Sequence, residues 1–246
     1  MWWDRSKALE VYLSDREVGW GFPSAAPARW LDSTGLDESL QQVATRLSSG
    51  AVPAVSKLRI WLSSSLAQPF LVPAASGARN RREAHAVALA MAPDATGIGG
   101  QARVWLDRWR PGESTLVVAM PEDVWKRMHE LLAARRIKIV SVRPWWNLPF
   151  DELIEECRRD AARIGWSLAD GGGILHGVID RGSVVDVGFD RPGPHDPTGG
   201  LLKRRLRVGW GDVAVTRHLT LDRQPGRTGT QTHAIGGWGA GVDSAS

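Results

Sequence analysis

The sequence predicts a mixed α/β fold built from two sheets that each open on a β-hairpin, and three observations carry that reading. Near the start, residues 8–13 and 18–22 alternate apolar and polar side chains around the polar turn Ser14-Asp15-Arg16-Glu17. The same strand–turn–strand pattern returns at 166–189, where three apolar runs are joined by Asp170-Gly171-Gly172-Gly173 and by Arg181-Gly182. Between the two lie apolar stripes of helical period alternating with short strands, the order of mixed sheets covered by helices. No short-period repeat is present.

Taken in order, 28–31 adds a short third strand to the first hairpin. Leu36, Leu40, Val43, Ala44 and Leu47 then mark a helix, with Thr34 as its N-cap and Gly50 just past its end. Residues 57–62 are the next strand and 70–72 a short one after a serine-rich turn. Asn80 and Glu83 have capping-box spacing ahead of a helix that buries Ala84, Val87, Ala88 and Met91 and stops at Pro93. Strands over 101–106 and 114–120 flank the turn at Pro111-Gly112. Pro121 opens a helix with Glu122 and Asp123 in its acidic first turn, buried through Val124, Met128, Leu131 and Leu132 and closed by Arg135-Arg136. Residues 137–142 form a buried strand ending at Arg143-Pro144-Trp145-Trp146. Phe150, Leu153, Ile154, Cys157, Ala161 and Ile164 predict an amphipathic helix ended by Gly165. The second hairpin unit follows, then a loop over 191–200, a short element over 201–206, and a last strand over 213–221. From Asp222 onward glycine, threonine, glutamine and serine predict a frayed tail.

Composition bounds the function. The chain's 246 residues, 43% hydrophobic and 24% charged, suit a globular protein with a buried core. No apolar run approaches the ~20 residues of a membrane span, and the first residues carry no signal-peptide core. Cys157 is the single cysteine, which excludes an internal disulfide and fits a reducing, cytosolic setting. The net charge of +4 is scattered in short clusters, at Arg79 to Arg82, Arg135-Arg136 and Lys203 to Arg205. That distribution reads as solvated surface and helix ends rather than a nucleic-acid stripe. The thirteen tryptophans lie mostly within apolar strand patterns or beside turns and read as core.

The paired hairpin openings resemble a duplicated ribonuclease-H-like (actin-like) fold, and Asp170-Gly171-Gly172-Gly173 resembles the second phosphate loop of actin-like ATPases. Residues 115–146, running strand–proline–helix–strand to a proline turn, are similar to the corresponding segment of the pilus-assembly protein PilM and of the cytoplasmic part of the secretion protein GspL. Residues 59–91 are similar to the GspL pattern. The resemblance implies a first actin-like subdomain over 1–165 with an inserted α/β segment, a reduced second unit over 166–222, and a flexible tail over 223–246. It further implies a cytoplasmic scaffold docked at inner-membrane pilus or secretion platform proteins and at the assembly ATPase, peripheral to the membrane, with no DNA partner. In that setting Asp170, Gly171, Gly172 and Gly173 are a remnant phosphate loop. The first turn departs from the family pattern: it has no glycine, and Glu17 repels a phosphate.

The expected protein is therefore non-catalytic, with no cofactor and no metal. An actin-like ATPase holding ATP and Mg²⁺ at Asp170 is the first alternative. A basic nucleic-acid-binding or nuclease module using Asp15, Asp170 and Asp186 is the second, since two-metal chemistry needs clustered carboxylates. The six histidines show no ligand spacing, and Ser63-Ser64-Ser65 lacks the elbow of a serine hydrolase. Cys157 reads as a small buried hydrophobe. Trp145 and Trp146 are the candidate aromatic anchor for a partner, with plugging of a core edge as the other reading.

Overall fold

The computed structural model describes residues 8–21, 29–49, 57–160, 163–170, 172–191, 215–221 and 233–234. The first half contains β1 (Leu9–Leu13), β2 (Glu17–Trp20), β3 (Arg29–Asp32), α1 (Leu36–Ser48), β4 (Lys57–Leu62), β5 (Gln68–Val72), α2 (Arg81–Thr96), β6 (Ala102–Leu106), β7 (Thr115–Pro121), α3 (Glu122–Ala133) and β8 (Lys138–Pro144). After α4 (Asn147–Asp160) come β9 (Arg163–Asp170), β10 (Gly173–Asp180), β11 (Ser183–Asp190), β12 (Val215–Thr220) and β13 (His233–Ala234).

The first sheet has the order β3-β2-β1-β4-β8. Its first three strands form an antiparallel meander, and β4 and β8 extend it in parallel beyond β1. The second sheet repeats the plan as β11-β10-β9-β12-β13, again a meander with a parallel strand added beside its first member. Between them an inserted three-stranded antiparallel sheet, β5-β7-β6, carries α2.

Side-chain alternation divides the interior into three cores. In β1 and β4, Val11, Leu13, Leu58, Ile60 and Leu62 face α1 and α3, where they meet Leu40, Val43, Met128 and Leu132. Tyr12 and Trp61 point from the opposite face into a second core with Phe150, Leu153, Cys157, Trp166, Leu168 and Leu175. A sheet buried on both faces explains why β4 reads as a nearly unbroken apolar run. Phe150 sits edge-on between Trp146 and Trp166, at 5.7 and 5.0 Å between ring centroids, a geometry worth ~0.5–1.5 kcal/mol per pair beyond area burial. In the inserted unit, Ala84, Ala88 and Ala92 recur every fourth position and let α2 lie close on Phe70, Val104, Val117 and Ala119.

Several expectations are corrected. Pro93 lies inside α2, which runs to Thr96 and ends on Gly97 in the left-handed region; Leu89, whose carbonyl loses its donor, is 40% exposed, so solvent can take the bond. The helix expected to reach Ile164 ends at Asp160, and Ile164 and Gly165 belong to β9. There Ile164, Trp166 and Leu168 alternate inward, so period two prevails over a continued helical stripe. Thr34 is not the N-cap of α1; that position is Gly35, and Thr34 instead donates its N–H and hydroxyl to Glu38. Trp145 and Trp146 are 2% and 1% exposed and therefore plug the core instead of presenting an anchor. The Asn80–Glu83 capping box forms as expected, with Glu83 N–H donating to Asn80 Oδ1 at 3.0 Å. The short element at 201–206 lies outside the described residues. Within the expected tail, the described pair His233 and Ala234 is bridged to β12.

Truncating Phe150 to alanine opens the second core at its centre and is expected to lower unfolding free energy by about 3–5 kcal/mol in urea titrations. Leu89→Ala, on the exposed side of α2, should change it by less than ~0.5 kcal/mol.

Candidate functional site

Four connections meet at the ends of the central strands: the β1–β2 turn, the β4–β5 turn, the start of α4, and the β9–β10 turn. In the first, the Ser14 hydroxyl folds back and accepts the N–H groups of Arg16 at 3.0 Å and Glu17 at 2.9 Å. Ser14 is fully buried and Glu17 is 1% exposed beneath the turn. In the fourth, Gly172 and Gly173 donate their N–H groups to Asp170 Oδ1 at 2.8 and 3.0 Å. Gly171 lies outside the described residues. Four backbone donors of these two turns, from Arg16, Glu17, Gly172 and Gly173, thus already have partners within their own turns.

Between these two turns sits Ser63-Ser64-Ser65, all buried. Ser64 donates its N–H to Asp170 Oδ2 at 2.7 Å and its hydroxyl to Oδ1 at 2.6 Å. Ser65 donates its hydroxyl to Asp15 Oδ1 at 2.8 Å, and its Oγ lies 2.8 Å from that of Ser63. The serine turn itself is fixed by Ser63 N–H to Leu13 O and by Trp145 N–H to Leu62 O, both 2.9 Å. The Trp145 indole N–H donates to Asp170 Oδ2, and that of Trp146 donates to Ala67 O at 3.0 Å. The paired tryptophans therefore brace the serine turn from behind.

Asp170 accepts five donors and faces no cation among them. Burial pushes its carboxyl above the ordinary carboxylate range, while the donors from Ser64, Gly172 and Trp145 pull it back. The turns are also in direct contact: a Cβ on Gly172 would stand 2.6 Å from Ser65 Oγ and 3.0 Å from the Ser65 backbone nitrogen. Glycine is needed here for close approach. Gly173 is needed for the same reason, since a Cβ there would meet the Phe189 ring at 2.4 Å.

The structure brings Asp15 and Asp170 to the two ends of one serine bridge and leaves Asp186 elsewhere, exposed on β11 opposite Val178. Among the described residues no group of three or more His, Cys, Asp or Glu side chains is placed to hold a metal. His176 faces Asp190 at 3.3 Å, and Cys157 is buried against β10, where its Sγ lies 3.6 Å from Ile179 O. The side chains of Ser64 and Ser65 lie between the two turns and bond the Asp170 and Asp15 carboxylates. Ser63, Ser64 and Ser65 are the residues that sequence reasoning missed. Their signal was three hydroxyls placed immediately after the buried strand β4, at the strand end where both turns converge.

No family model matches the chain, and no curated protein matches it. Solved structures do. A Bacteroides thetaiotaomicron protein with actin-like ATPase fold and unknown function aligns at a TM-score of 0.53 with 10% identity, over 85% of this chain and 80% of that one. The PilM-PilN type IV pilus biogenesis complex aligns at 0.52 with 12% identity, over 85% and 67%. The cytoplasmic domain of EpsL, an inner-membrane component of the type II secretion system of Vibrio cholerae, aligns at 0.49 with 16% identity, over 87% and 82%. The first two fix the architecture: the chain has the actin-like ATPase fold.

Asp170→Ala orphans buried donors from three connections and is expected to lower unfolding free energy by about 3 kcal/mol, at ~1–3 kcal/mol for a buried group left unpaired. Gly172→Ala should cost about 1–3 kcal/mol by overpacking against Ser65. Combining it with Ser65→Gly should recover part of that loss, and a chemical-denaturation double-mutant cycle with zero coupling would contradict the contact.

Proposed function

We propose that the chain is a non-catalytic scaffold that works on the cytoplasmic side of the inner membrane, docking onto membrane components of a type IV pilus or type II secretion machine. The observation that carries this reading is the closed cleft. An actin-like ATPase holds phosphates between its two hairpin turns, and here Ser65 touches Gly172 while Ser64 and Ser65 hydrogen-bond Asp170 and Asp15. The fold shared with PilM in the PilM-PilN complex, together with the sequence resemblance to PilM and GspL, supports the choice of machinery. No described helix is long and apolar enough to cross a membrane, so in this reading attachment comes through partners.

Thermal unfolding with and without MgATP tests the first half. A ligand that binds only the folded state raises the midpoint, by about 2.7 kcal/mol of stability at a hundredfold excess over Kd. No shift is expected at millimolar nucleotide; a rise that Gly172→Asp abolishes would restore the ATPase alternative and overturn the scaffold. Co-sedimentation with inner-membrane vesicles tests the second half. Binding should vanish when the proteins on the vesicles' cytoplasmic face are removed by protease, whereas equal binding to protein-free anionic vesicles would assign attachment to the basic surface instead.

A further inference from the structure

The inserted sheet has two edges of different character. Its β5 edge lies against β11 of the second unit. Its β6 edge is lined by an open groove of about 740 Å3 that runs between β6 and the first half of α2. Register fixes which backbone groups face that groove. Asp107 N–H donates to Leu116 O and Glu122 N–H to Gln101 O, so odd-numbered residues of β6 bond to β7. By the alternation of an antiparallel ladder, Ala102, Val104 and Leu106 turn their N–H and C=O groups outward. Arg81 covers one of these, donating to Leu106 O at 3.3 Å.

Edge strands are normally blunted by proline, bulges or charged side chains turned inward. β6 has no proline, and its register with β7 runs without a shift. The groove walls are specific. Leu89 and Trp105, two of the few exposed large apolar side chains, flank it at 40% and 38% exposure. Trp105 is held in place by Trp125, 5.7 Å away, which is itself covered by the Arg103 guanidinium at 4.6 Å. The charge is one-sided. Arg81, Arg82 and His85 line the α2 wall. Two nearby acids are already engaged: Glu83 in the capping box, Glu122 in a two-pronged pair with Arg103 at 2.8 and 2.9 Å.

We propose that the β6 edge and the α2 wall beside it form a docking site for an extended acidic segment of a partner protein, which adds as a fourth strand to the inserted sheet. Backbone pairing supplies the register, Trp105 on the α3 face takes the apolar side chains, and Arg81 and Arg82 on the α2 face select for carboxylates. A row of amide donors and acceptors at strand spacing matches a peptide backbone and not a phosphodiester chain. This site shares no residue with the serine bridge, and it stands whether or not the cleft between the turns takes nucleotide.

The test uses the full chain and three synthetic peptides of about eight residues, long enough to span an average strand, in which valine alternates with glutamate, serine or lysine. The glutamate peptide should bind tightest, weaken as salt rises from about 50 to about 500 mM, and slow hydrogen exchange at the amides of Ala102, Val104 and Leu106. Arg82→Glu, on the exposed surface, should weaken it about tenfold, the effect of losing ~1.4 kcal/mol. Ala102→Pro removes an outward N–H at the first residue of an edge strand, where proline is tolerated, and should weaken all peptides alike. Failure of the glutamate peptide to bind, equal binding of all three, or exchange protection elsewhere would overturn the proposal. So would a single-stranded oligonucleotide competing at the same residues. Self-association of the chain that Ala102→Pro abolishes would give the edge to a second copy instead.

Discussion

The carboxylate of Asp170 joins parts of the chain that are far apart in sequence. One oxygen takes the Ser64 hydroxyl and the two glycine N–H groups, and the other takes the Ser64 N–H and the Trp145 indole. Through it the second hairpin is tied to the end of β4 and to the start of α4, and through Ser65 the same serine turn reaches Asp15 in the first hairpin. A buried charge is tolerated only when its desolvation is offset by donors placed around it. The positions of three separate connections are therefore set by the needs of one side chain. The contact of Gly172 with Ser65 follows from that requirement.

Packing behind the turns makes the geometry rigid. Trp146, Phe150 and Trp166 stack edge to face beneath the serine turn, and Tyr12 and Trp61 close the same core from the first sheet. The burial of Trp61, Trp145, Trp146 and Trp166 thus has a structural explanation. Two sheets must share one interior with a single helix, α4, between them, and large flat side chains fill that space with few rotamers to freeze. The inserted unit follows a different rule, with alanines on α2 letting helix and sheet approach closely.

Much of this was legible in the sequence where local chemistry dominates. Both hairpins, the capping box at Asn80 and Glu83, and the buried stripe Val124, Met128 and Leu132 follow from alternation, capping and helical period. The actin-like order of the strands was legible because the same hairpin opening occurs twice. What escaped were properties that depend on partners distant in sequence. Ser63, Ser64 and Ser65 look like an ordinary polar turn until Asp15 and Asp170 are placed on either side of them. Trp145 and Trp146 look like an exposed anchor until their indole N–H groups are seen to have buried acceptors. Ile164 fits a helical stripe and a strand equally well, and only its pairing with Ile179 decides.

The serine bridge also constrains how this chain can change over generations. Removing a single member, whether Asp170, Ser64 or a turn glycine, leaves buried donors or acceptors without partners or forces atoms together, so each one-step neighbour in sequence space is less stable than the present chain. Members of the bridge are therefore expected to change together. The bridge behaves as a unit that single substitutions weaken and only joint ones can replace.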